Sequence, residues 1–265
     1  MLRIYKRLWQ VNWAEQWQYR ANLLMYQLYW LVSPVVYLAV WVTVANNQGN
    51  VSGLTANDFI AYYMTLLIVD QLTSDITIHV LANKIQDGTL SSDLLRPVHP
   101  ILTQTLMNNI AFKALSFVAL IPIWILLFFL FRPNFSAVSA SSLLLALPGI
   151  LIGFLTAFLL GATVTCLAFW TTRVYSISEF YFALITLFSG QFVPLQLMPP
   201  IIQNIAQFMP FQMFKYVPIE IILNRLTPEA ILLDYAVGLV WLAIAWFLFG
   251  WMWRAGVRRF SAVGA

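Results

Sequence analysis

Five stretches of this chain carry no charged residue: 21–57, 114–131, 133–172, 180–214 and 235–253. No water-facing domain tolerates such gaps, because a soluble surface needs roughly a quarter of its residues charged. Here 9% are charged and 61% are hydrophobic. Lipid is the solvent that suits this composition. A helix needs about 20 apolar residues to cross the hydrocarbon, and each gap supplies at least one candidate. The sequence predicts an all-α integral membrane fold with spans at about 21–45, 59–79, 110–131, 141–170, 174–193 and 228–254. The second is the least apolar, being broken by Asp70 and Asp75. All six belong to one membrane domain covering 1–265, with no appended soluble domain.

Charge orients these spans. With the N-terminus in the cytoplasm, eleven of the fourteen Lys and Arg residues fall on or near the cytoplasmic side. Only Arg132, Lys215 and Arg225 fall outside. That asymmetry is the positive-inside bias, so the net charge of +4 reports topology rather than a nucleic-acid partner. Both termini are expected in the cytoplasm. Residues 1–20 place Leu2, Tyr5, Leu8, Trp9, Trp13 and Trp17 at helical spacing among basic and amide residues, as in a helix lying in the headgroup plane of a lipid bilayer.

Catalytic chemistry finds no support. No glycine precedes a lysine, so the phosphate-cradling Gly-x-x-x-x-Gly-Lys loop is missing. Two histidines and one cysteine make no spaced ligand set for a metal. Energy for any work must come from an ion gradient or from another subunit.

Three features stand out from the spans. Gly149, Gly153, Ala157 and Gly161 recur at every fourth position and mark a close helix–helix contact, either with a second chain or within this one. Pro199-Pro200 and Pro210 bracket a short apolar helix at 201–209, too short to cross and so expected to dip into the outer leaflet or lie at its surface. Asp70 lies near the middle of the second span, with Ser74 and Thr77 on the same helical face. A carboxylate at that depth faces protein or water and marks either a pathway or a helix–helix bond. Asp75 and His79 are spaced to pair one turn lower.

The polar segment between the second and third spans contains Gln86, the Asp87-Gly88 turn, and a short helix capped by Thr89 or Ser91. Leu90, Leu94 and Leu95 lie on one side of that helix, Arg96 follows, and Pro97 closes it. It resembles a docking element. Gly88-Thr89-Leu90 followed by Leu94-Leu95-x-Pro97 and Pro100 is similar to the first cytoplasmic loop of type-2 ATP-binding-cassette (ABC) permeases. Ser189-Gly190-Gln191-Phe192-Val193-Pro194-Leu195, then Leu197-Met198-Pro199, resembles the stretch leading into that family's re-entrant outer helices. Gly256-Val257-Arg258-Arg259-Phe260 resembles the Gly-Leu-Arg-Arg-Tyr tail of one bacterial branch, with Val257 and Phe260 as departures.

The resemblance implies a non-enzymatic permease subunit of an exporter in a bacterial plasma membrane. It would pair with an identical or homologous second permease and with a nucleotide-binding ATPase that holds ATP and Mg. Gln86, Gly88, Thr89, Leu90, Leu94, Leu95, Arg96 and Pro97 would couple to that ATPase. Two alternatives stay open on the residues alone: an ion-coupled secondary transporter using Asp70 and Asp75, and a non-transporting membrane scaffold.

Overall fold

The computed structural model describes residues 2–75, 77–96, 99–101 and 106–260; for 2–5, 8, 77, 79 and 80 it describes the backbone only. These residues form a helical bundle: α1 (Leu2–Gln18), α2 (Arg20–Gln48), α3 (Ala56–Thr73), α4 (Thr77–Gln86), α5 (Leu90–Leu94), α6 (Met107–Phe131), α7 (Ala140–Cys166), α8 (Val174–Phe188), α9 (Pro200–Phe208), α10 (Tyr216–Ile222) and α11 (Pro228–Arg259). Among the described residues, four helices are long and apolar enough to cross a membrane: α2, α6, α7 with its 3-10 extension to Phe169, and α11. The 15-residue α8 is apolar but shorter.

Local chemistry explains where the long helices begin. Thr55 and Asp58 form a reciprocal capping box ahead of α3, and Ser139 and Ser142 form another ahead of α7. Thr227 accepts a hydrogen bond from the Ala230 amide at 3.3 Å. Pro228 occupies the first position of α11, where its missing N–H costs nothing. That last helix runs on to Arg259, beyond the 254 expected.

Two helices organise the bundle. Every residue of α3 from Phe59 to Leu67 is buried, which is why this segment is apolar on all sides. In α7 the most apolar window is 44% buried, against 17–22% for α2, α6 and α11, so it is the most enclosed of the four. The small-residue row is what lets its neighbours in. A Cβ added at Gly149 would stand 3.0 Å from the Tyr235 ring of α11. One at Gly153 would collide with the Met213 carbonyl, and one at Gly161 with Asp75 Oδ2. Ala157 is buried beside Phe188, Phe211 and Phe214. All of these contacts lie within the chain. We expect Gly153→Ala to lower stability by about 1–3 kcal/mol, because its methyl meets backbone rather than a side chain that can turn away. Thermal unfolding in detergent measures it; an unchanged midpoint would show that the 210–214 segment yields.

The second span departs from expectation. Instead of one helix over 59–79, α3 stops at Thr73 and a new helix starts at Thr77. Ser74 has φ −57° and ψ 153°. That extended conformation turns the chain out of the helix.

After α8 the chain turns at Gly190, which sits at φ +80°, a region glycine enters without steric cost. Irregular backbone in an apolar setting must find partners within the protein. Aromatic side chains supply them. Tyr62 Oη donates to the Gly190 carbonyl at 2.8 Å, Tyr63 Oη to Phe192 O at 2.8 Å, and Trp41 Nε1 to Phe192 O at 3.3 Å. Trp241 Nε1 donates to Phe208 O at 2.7 Å, at the end of α9. The short helix expected at 201–209 is present as α9, ended by Pro210. The helix α10 that follows it was not expected from the sequence.

Candidate functional site

A partly open cavity of about 140 Å³ lies among α2, α3, α6, α7, α8 and the 210–214 segment. Its walls are largely apolar and aromatic, with Trp30, Phe112, Tyr181 and Phe182 among them, but its polar groups converge. Asp70 is carried by α3 about 21 Å from that helix's N-terminal end. It forms a 2.7 Å ion pair with Lys215 Nζ. The same ammonium donates to Gln191 Oε1 at 2.6 Å. Gln27 of α2 donates to Gln71 Oε1 at 2.8 Å, and Asn109 of α6 donates to Asp75 Oδ1 at 2.9 Å.

The expected polar face is therefore rearranged. Ser74 lines the cavity with Asp70, but the helix break removes the shared face that would have included Thr77, whose side chain lies outside the described residues. The His79 side chain, expected to pair with Asp75, also lies outside the described residues; Asp75 Oδ1 accepts a hydrogen bond from Asn109. Lys215 is the main surprise. Expected in an outer loop, it is 6% exposed and reaches into the cavity. The 3-10 turn Pro210–Phe214 carries it inward, and Asp70 supplies the charge that makes its burial tolerable.

Near the N-terminal end of α3, Arg225 Nη2 pairs with Asp58 Oδ1 at 2.7 Å, and Nη1 lies 3.7 Å from Glu220 Oε1. Burial pushes the Glu220 carboxyl up to about 7, with the Arg225 charge opposing the rise.

At the opposite end of α3 sits the loop carried by α4 and α5. Gly88 turns the chain at φ +74°. Thr89 is already helical, at φ −69° and ψ −12°. A capping residue needs extended backbone, so the Thr89 side chain does not cap α5 as expected. The Ser91 hydroxyl donates instead to Gly88 O at 2.8 Å. Nor do the three leucines share one exposed side. Leu90 is fully buried in a cluster with Leu81, Ile85, Cys166 and Trp253, Leu94 packs on that cluster, and Leu95 is 89% exposed. Asp93, also buried, binds Lys84 at 2.8 Å and approaches Arg96 at 3.6 Å. Gln86 donates to Thr172 O at 3.3 Å. Pro97 lies outside the described residues. Among its described residues this loop is a braced platform, with Leu95 as an exposed apolar side chain.

The model of the ABC-2 family transporter proteins matches residues 31–264. The chain belongs to that family. No individually curated protein is similar enough to this chain to match it. It is a multi-pass membrane protein, the non-catalytic permease subunit of an ABC transporter. Membership implies association with the membrane and with a nucleotide-binding ATPase subunit. The braced loop of this ABC-2 permease and its charged cavity lie at opposite ends of α4, one element apart.

Proposed function

We propose that this permease is the membrane half of an exporter, crossing a bacterial plasma membrane six times with α3 and α8 as the two shorter spans. Both termini and the 84–97 loop face the cytoplasm. A second permease, identical or homologous, completes the pathway, and ATP with Mg is hydrolysed on the partner ATPase. The ATPase docks on the 84–97 loop through Gln86, Gly88, Thr89, Leu94, Leu95, Arg96 and Pro97, with Leu90 anchoring the platform from beneath. Movement of that loop reshapes the cavity around Asp70.

The observation that carries this reading is the cavity: charged and amide groups gathered between apolar helices, one helix away from the exposed Leu95. Polar groups are expensive in hydrocarbon and mark a pathway by default. An ion-coupled mechanism using Asp70 and Asp75 would need a carboxylate available to its ion, whereas Asp70 is paired with Lys215 and Asp75 Oδ1 accepts from Asn109.

Thr186 of α8 lines the cavity and takes no part in the ion pair. In the complex with the ATPase, Thr186→Trp should fill the space and lower transport by tenfold or more, while ATPase association and basal hydrolysis stay unchanged. Transport at the unsubstituted rate would remove the cavity from the pathway.

A further inference from the structure

The break between α3 and α4 leaves backbone carbonyls without the amide donors that a continuing helix would bring. One is served locally, since the Ser74 amide donates to Asp70 O at 2.8 Å. Three more, those of Gln71, Leu72 and Ser74, are served by a side chain from a different helix. Lys113 of α6 donates to Gln71 O at 3.3 Å, to Leu72 O at 3.0 Å and to Ser74 O. An ammonium has three protons, and all three are directed at this helix end. The same cation complements the negative end of the α3 dipole, and it lies 4.8 Å from the centre of the Phe154 ring on α7.

The choice of partner is informative. Two carboxylates that line the cavity, Asp70 and Asp75, are close enough to act on the charge of this lysine, and a buried ammonium ordinarily binds a carboxylate. Here Asp70 is held by Lys215, Asp75 Oδ1 accepts from Asn109, and Lys113 binds backbone. Gly161 keeps the arrangement compact, because any side chain there would displace Asp75.

We infer that Lys113 is a positioning residue that holds the α3–α4 joint broken, by standing in for the amides of a continuous helix. The two arrangements exclude each other. If the helix ran straight through, its own downstream amides would take the Gln71, Leu72 and Ser74 carbonyls, and Lys113 would be released into the cavity. Straightening the joint therefore moves a positive charge toward Asp70 and Asp75, and pulling that charge away bends the joint. A single side chain thus links the direction of α4, which carries the docking loop, to the electrostatics of the cavity. This role in coupling rests on the proposed docking of the ATPase at 84–97; the joint itself does not.

Paired spin labels at Asn57→Cys and Asp87→Cys, both exposed positions, in a Cys166→Ala background report the joint directly. A continuous helix would separate the two backbone positions by about 45 Å, and the broken one by less. In lipid nanodiscs, with the chain alone, Lys113→Met should shift the distance distribution toward the long value, and Lys113→Arg should restore the short one. An unchanged distribution in Lys113→Met overturns the proposal. Failure of Lys113→Met to insert would assign the lysine to folding and equally overturn it. Because this measurement needs no ATPase, loss of the docking reading would leave its result intact. Adding the ATPase with a non-hydrolysed nucleotide should move the unsubstituted chain toward the long distance; no movement would sever the joint from coupling.

Discussion

Lys215→Met should destabilise this permease by about 3 kcal/mol, the lower end of the range for breaking a buried ion pair. The lower end applies because the Asp70 side chain keeps 18% of its exposure, against 7% for Lys215, so the stranded carboxylate retains some access to water in the cavity. The loss comes from the charge left behind rather than from the bond removed. Replacing both partners, as Asp70→Leu with Lys215→Met, should therefore recover most of the stability and can exceed it, since a well-packed apolar pair often matches a buried ion pair. Unfolding midpoints in detergent for the two single variants and the double variant check this. Equal losses in the single and double variants would mean that Lys215 acts through packing of the 210–214 segment alone. Transport should fail in the double variant even where stability returns, because the cavity has lost its paired charges.

What the sequence disclosed and what it withheld have separate physical origins. The long helices were legible because lipid imposes length and apolarity on each span independently, and caps such as Thr227-Pro228 are written in adjacent residues. The glycines of α7 were legible as a contact for the same reason, although which helix fills each notch was not. The break at Ser74 was hidden: serine and aspartate are weak helix breakers, and the break is held by Lys113, nearly forty residues downstream. Lys215 was misplaced because an isolated cation beside several prolines reads as a loop. A charge that directly follows a long apolar stretch, as Lys215 follows 180–214, is better treated first as an intramembrane group. The burial of Leu90 could not be read from 84–97 at all. It depends on Cys166 and Trp253, which the fold brings beneath the loop from the far ends of α7 and α11.

That difference between Leu90 and Leu95 leads to the second large effect. Leu95→Asp should weaken binding of the ATPase subunit by about 30-fold or more, equivalent to roughly 2 kcal/mol for an apolar anchor at the centre of an interface. The permease should fold as before, because Leu95 touches little of its own chain at 89% exposure. Leu90→Asp is the contrasting case. It places a carboxylate in a fully enclosed cluster under α5, and the cost of burying an unpaired charge is expected to unseat the whole platform. In that variant both the unfolding midpoint and ATPase binding should fall, together with the Lys84–Asp93 ion pair that braces the loop. Leu95→Ala should lie between the unsubstituted chain and Leu95→Asp. Surface plasmon resonance on nanodisc-held permease, run beside thermal unfolding of the same samples, separates the two outcomes. Binding by Leu95→Asp at the unsubstituted affinity would move the ATPase contact away from this leucine, to the Gln86 and Gly88 side of the loop.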